Sequence, residues 1–261
     1  MPVPENKLRL GGMALRNGLL VHGPTHWAAA VRTSAGDVKV ASGAKPRFRA
    51  ADDIPGLRGL ARLGESFAVI PLVKKGLPEA KLAFENPSVL AVAAGASVGG
   101  SLLRRRASGV SGELMSSLLA LAPALFALRG GELAAYHGVE HKAIAAYEQD
   151  DPDAADADKE HERCGSHLMA PMLAANLAGT LLLKRAVERP SPIANSAVAL
   201  ASTAAAVEVF AWTERHADSP VTRALKRPGF ELQRLLGTRE PDERQLEVGR
   251  AALAEILRVE K

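Results

Sequence analysis

Cysteine is almost missing from this sequence. The single thiol, Cys164, excludes an intrachain disulfide, and with it the disulfide framework of small secreted domains. Aromatic residues are scarce too, at 4% of 261 residues. With so few aromatics, and with basic residues scattered among acidic ones, the formal net charge of +4 does not point to nucleic acid as a partner. The opening stretch, MPVPENKLRLGG, holds no apolar core of the length a cleavable signal peptide needs, so none is expected. No internal repeat is visible.

What is present is unevenly spread. Charge is dense before residue 86 and after residue 213, and thin in several blocks between. Residues 8 to 43 alternate imperfectly between apolar and polar and are punctuated by Gly18, Gly23-Pro24 and Gly36-Asp37. That pattern predicts about three short antiparallel strands, with a hairpin turning at Ser34 to Asp37. From Pro55 the period changes. Leu57, Leu60, Leu63, Phe67 and Ile70 fall near helical spacing, which predicts an amphipathic helix broken near Pro71. It is suited to covering the sheet or lying on a membrane surface.

Four uncharged stretches follow, at Asn86 to Leu103, Leu114 to Leu128, Gly165 to Leu183 and Pro190 to Val207. All but the second approach the roughly 17–25 residues of a spanning helix. Small residues such as Gly95, Gly99 and Gly100 suit close helix approach in a bilayer. The alternative is a set of buried helices in a soluble bundle. Four such stretches are hard to hide inside a chain of this size, so membrane helices are favoured. Glu208 stands inside the fourth, near its end, either functional or reaching the interface. After Ala217 the sequence reads as a short loop and then an amphipathic helix over ERQLEVGRAALAEILRVEK. The expected class is therefore mainly α. It is a multi-pass helical membrane bundle with a small N-terminal antiparallel β element and a C-terminal amphipathic helix. Four regions follow: a β-rich region at 1–54, an amphipathic helix and linker at 55–85, a membrane-helix region at 86–213 and a soluble tail at 214–261.

The chemistry concentrates at 129–166, between the second and third apolar stretches. A helix from about Glu132 to Gln149 carries His137, Glu140 and His141. Histidines four apart lie one turn apart on one face and can grip one metal ion. The order H-x-x-E-H is the inverse of the zinc-protease motif, and Glu140 is placed to act as ligand or as base toward a metal-activated water. A strongly acidic loop follows, from Glu148 through Asp151 and Asp153 to Glu162, and at its end His161 and Cys164 return. A helix pair followed by a loop pair is a common way to assemble four tetrahedral ligands. The predicted metal set is His137, His141, His161 and Cys164, with a divalent ion, zinc by preference. If one position stays open to water the site is catalytic, with Glu140 as general base. If all four bind, it is structural. Glu148, seven residues beyond His141 and so on the same face, is a reserve ligand, and Tyr136 and Arg163 flank the site. His22 and His26 bracket a turn and read as surface or turn histidines.

The string YHGVEHKAIAAYE followed by HERCGS resembles the hallmark of the YqhQ-like family of bacterial membrane proteins, approximately Y-H-G-x-E-H-K, then Y-E, then H-x-R-C-G-T. Tyr136, His137, Gly138, Glu140, His141, Lys142, Tyr147, Glu148, His161, Arg163, Cys164 and Gly165 match it, and Ser166 replaces the usual Thr. GGMALRNGLLVHGPTHWAAAVR and PGFELQRLLGTREPDERQLEV resemble the family's N- and C-terminal blocks, with Asn17 and His22 departing from the former. The resemblance implies a multi-pass inner-membrane protein and a predicted metal-dependent enzyme with no known substrate. Arg104 to Arg106 and Lys184, Arg185 and Arg189 lie in loops that charge would place in the cytoplasm. The folded, signal-less N-terminal region favours the opposite, with termini and metal segment cytoplasmic. Two functions are expected from these readings. One is a metal-dependent membrane hydrolase acting on an amide or ester. The other is a non-catalytic membrane protein whose structural metal site supports partner binding or assembly. The bilayer and an unidentified substrate or protein are the expected partners.

Overall fold

The computed structural model describes residues 7–49, 54, 56–106, 109–129, 131–150, 155–188 and 190–261. Pro55, Asp151, Asp153 and Arg189, used in the reading above, lie outside the described residues.

Four strands form an antiparallel meander in the order β1 (Gly11–Leu15), β2 (Gly18–His22), β3 (His26–Arg32) and β4 (Val38–Ala44). The turn between β3 and β4 lies where the sequence predicted a hairpin, closed by Thr33 N–H donating to the Asp37 carbonyl at 2.8 Å. One more strand is present than expected. The imperfect alternation has a physical cause, because β2 and most of β3 are buried on both faces. Leu19, Val21, Ala28 and Ala30 face one core, and Leu15, Leu20, Trp27, Ala29 and Val31 face another. A strand covered on both sides gains from apolar residues at every position.

The second core is closed by Val69, by Val73 of α2 (Ile70–Gly76) and by Leu77, Ala80 and Leu82 after it, while α1 (Leu57–Ala68) packs against the later helix Pro192–Arg215. Pro71 starts α2, which is the predicted break. The first core is closed by α6 (Glu132–Gln149) and α10 (Glu243–Val259). Asp242 caps α10 in a capping box with Gln245, and Leu246, Val248, Ala252 and Ile256 face the sheet. The C-terminal segment thus builds the core of the N-terminal sheet. Residues 220–232, read from sequence as a loop, form α9 (Pro220–Leu232). Ser219 caps it, and Pro228-Gly229, which reads as a breaker, sits within it.

The remaining helices form the bundle: α3 (Pro87–Arg106), α4 (Val110–Leu119), α5 (Ala122–Leu128), α7 (Met169–Ala186) and α8 (Pro192–Arg215). α3 packs along α4 and α5, α4 against α7, and α7 along α8. Val110–Arg129, Gly165–Ala186 and Pro192–Arg215 are long and apolar enough to cross a membrane. Their outer faces leave Leu114, Leu118, Leu182, Ile193 and Leu200 exposed. The first apolar stretch becomes α3. With its glycines, serines and terminal arginines, it falls short of that composition among the described residues.

Candidate metal centre

Helix α6 spans the limits read from the sequence. It stops at Asp150, which takes a left-handed conformation (φ 55°). Its interior, from Leu133 to Ala146, is buried almost all round, which costs dear for any polar residue without a partner. Four polar side chains nonetheless lie there, and their partners define the site.

His137 and His141 stand one turn apart with ring centroids 4.4 Å apart. Each Nδ1 meets a backbone carbonyl, that of Gly237 at 2.7 Å for His137 and that of Lys159 at 2.6 Å for His141. A carbonyl only accepts, so each Nδ1 carries the proton and each Nε2 presents a lone pair. The His137 Nε2 lies 3.3 Å from Cys164 Sγ. The His141 Nε2 is buried and has no hydrogen-bond partner among the described residues. One ligand atom from each of His137, His141 and Cys164 falls within 4.8 Å of the others. Tetrahedral ligands at about 2.0–2.3 Å from zinc sit roughly 3.3–3.6 Å apart, so a small adjustment closes this triangle on an ion.

Cys164 arrives from the other side. It caps a short turn at Gly165–Leu168 that leads into α7, and its sulfur accepts from the Ser166 N–H at 3.5 Å. Burial pushes the thiol up, but the adjacent His141 and the Ser166 contact outweigh it and hold Cys164 below the ordinary thiol value. Burial likewise disfavours the cationic form of His141 and lowers its pKa. Both shifts favour the forms that bind metal.

Glu140 is buried beside this cluster. Burial pushes its carboxyl up to about 7, His137 pulls it down and Cys164 raises it. The side chain lies on Gly12 of β1. A Cβ there would come within 2.6–2.9 Å of Glu140 Cγ, Cδ and Oε1, so only glycine leaves room for the carboxylate.

His161 is adjacent to the triangle and turned to other partners. Its ring lies 5.7 Å from that of His141. Its Nδ1 accepts from the Arg163 N–H at 3.2 Å, and its Nε2 is 3.6 Å from Glu148 Oε2. Glu148 also takes a two-pronged ion pair from Arg163. Burial alone would raise the Glu148 carboxyl, but His161 and Arg163 bring it down to about 2. Tyr136 points into the first core with the sheet and α10. His22 lies on β2, buried and without a hydrogen-bond partner at either ring nitrogen among the described residues, outside the triangle.

Several residues that organise the site carry no ligand chemistry, and their roles escaped the sequence reading. Gln233, wholly buried, accepts from the His161 N–H at 2.8 Å and donates to Ser166 Oγ at 2.8 Å. Lys142 donates to the Ala155 and Ala157 carbonyls at 2.8 and 2.6 Å and pairs with Glu240 at 2.7 Å. It thus pins the acidic loop to α6. Gly138 admits the Arg239 carbonyl, which would lie 2.4 Å from a Cβ at that position. The sequence signal for Gly138 and Lys142 was their place in the YHGVEHK string, and for Gln233 the resemblance of the block around it.

Residues 132–259 match the model of a family described as protein of unknown function (DUF1385). An uncharacterized protein of Bacillus subtilis (strain 168), YqhQ, is 33% identical over 137 residues, covering 48% of this chain. The match spans 40% of that relative's own length. No solved structure matches the chain.

Proposed function

We infer the chemistry of this chain, which is similar to the YqhQ-like family of unknown function over residues 132–259, from the side chains of its site. We propose that it is a multi-pass plasma-membrane protein in which His137, His141 and Cys164 hold a divalent metal ion, with zinc favoured, as the centre of a hydrolase. The observation that carries this reading is the pairing of fixed and orphaned nitrogens. Both Nδ1 atoms are held by carbonyls, while the buried His141 Nε2 has no hydrogen-bond partner among the described residues and faces the Cys164 thiol. A buried polar atom left unsatisfied is costly, and a cation among these three donors removes the cost. The mixed imidazole and thiolate set suits zinc over magnesium or calcium.

His137, His141 and Cys164 would hold the ion, which when bound would acidify a water and polarise a carbonyl. The chain's own part is then proton handling. Glu140, with a carboxyl near 7, takes a proton at neutral pH and returns it to a leaving group of an amide or ester. The Gly237 and Lys159 carbonyls keep both imidazoles oriented. A structural reading also has a specific support. The cluster joins α6 to the loop that Lys142 and Gln233 already clamp, so a metal there would complete the fastening.

The Glu140→Gln variant decides between them. Metal content is measured on purified protein, and function by complementation of a deletion strain. Retained metal with lost function is the hydrolase outcome. Retained metal with full function eliminates the hydrolase and leaves the structural site. Wild-type protein without bound transition metal would overturn both.

A further inference from the structure

At the end of the bundle remote from the metal centre, α3, α4, α7 and α8 line a half-open polar cavity of about 1200 Å³. Lys184 lines it, 15 residues into α7 from Met169, hence about 22 Å along the helix. The cavity is built rather than incidental. Ser116 Oγ donates to the Gly100 carbonyl at 3.0 Å and fastens α4 to α3 at its wall. Glu113, buried, forms an ion pair with Lys184 across from α4 to α7. That pair neutralises itself. Arg104 and Arg105 also line the cavity and form no ion pair or hydrogen bond with any described residue. Asn176 and Asn195 add uncharged donors and acceptors.

The site therefore presents two exposed guanidinium groups, unpaired among the described residues, beside amides. Planar guanidinium forks match phosphate oxygens. The surroundings narrow the ligand further. Leu102, Leu182, Ile193 and Leu200, on the same helices, are exposed, so an anion seated in the cavity has apolar helix faces beside it. Basic pockets between membrane helices hold anionic headgroups in this way. We propose that the cavity binds the phosphate headgroup of an anionic lipid through Arg104 and Arg105, with the acyl chains along those faces. This site is independent of the metal centre.

Arginines at the C-terminal end of α3 also complement the helix dipole, and Arg106 shares that role without lining the cavity. It is the control. Thermal midpoints of the detergent-solubilised full chain are followed against short-chain phosphatidylglycerol, short-chain phosphatidylcholine, glycerol 3-phosphate and inorganic phosphate. A saturable rise with phosphatidylglycerol alone is expected. Arg104→Gln/Arg105→Gln should need at least tenfold more of it, and Arg106→Gln should not. Asn195→Leu, at an exposed position, should weaken the response without loss of fold. An equal response of the double variant and wild type would overturn the proposal. So would saturation by glycerol 3-phosphate or inorganic phosphate at the same concentration, which would make the ligand a soluble phosphate.

Discussion

Replacing Gly138 by alanine separates two effects of opposite sign. Gly138 lies inside α6, and alanine is favoured over glycine in a helix interior by about 1 kcal/mol. Propensity alone therefore predicts a more stable protein. The packing predicts the reverse. The new Cβ would sit 2.4 Å from the Arg239 carbonyl oxygen, against about 3.3 Å for a carbon–oxygen contact, so the segment must withdraw by roughly 1 Å. It is backbone and cannot swing aside. The Arg239 N–H donates to the Ala134 carbonyl at 2.9 Å, so withdrawal strains that bond too. Overpacking of this kind costs about 1–3 kcal/mol, leaving a net loss of up to about 2 kcal/mol after the propensity gain. The thermal midpoint should fall by several degrees, at roughly 2–4 °C per kcal/mol. The same withdrawal carries Gly237 away from the His137 Nδ1 it fixes. Zinc affinity should therefore drop about 10- to 100-fold, as when a ligand loses its orienting partner. Melting of the purified full chain and zinc titration against a competing chelator measure both. A raised midpoint, or an unchanged zinc affinity, would refute the reasoning.

His22 is buried without a hydrogen-bond partner among the described residues, and burial, with Lys45 adding to it, lowers its pKa from 6.5 to about 4. The unfolded chain binds the extra proton first, so stability present above pH 6.5 is lost as pH falls toward 4, by roughly 3 kcal/mol in all. Denaturant unfolding of a His22→Leu variant should show that slope flattened, and an unaltered slope would clear His22 of the effect. In the cobalt-loaded protein, Cys164→Ser should abolish the thiolate-to-metal charge-transfer absorption, and a persisting band would remove Cys164 from the ligand set. Ile256→Ala, wholly buried between α10 and the sheet, should cost about 2–5 kcal/mol. Leu182→Ala, on an exposed α7 face, should shift stability by less than about 0.5 kcal/mol in detergent, and comparable losses at the two positions would contradict the burial pattern.

Much of the candidate site was legible because ligand chemistry is confined to a few residue types. His137, His141 and Cys164 announce themselves by type and spacing, and α6 by its ends. His161 was equally conspicuous by type. Nothing in the spacing says that its ring nitrogens meet Glu148 and the Arg163 amide. The roles of Gly12, Gly138 and Gln233 were illegible for a different reason, although Gly138 stands within the recognised string. Their roles arise from what approaches them across the fold, and glycine or glutamine looks the same with or without such a neighbour. α9 was hidden by Pro228-Gly229, where tertiary packing overrides local propensity. The doubly buried strands blurred the two-residue period that a half-exposed sheet displays.

The orienting carbonyl of His137 belongs to Gly237, 100 residues later in the chain. During synthesis, both histidines, Cys164 and the residues of α7 and α8 are all made before that carbonyl exists. The ligand helix therefore waits with one imidazole unguided until α9 and the following turn are made. An ion captured early would be held by an incompletely oriented set. Were the site to take an ion, its loading would follow the docking of the C-terminal segment onto α6.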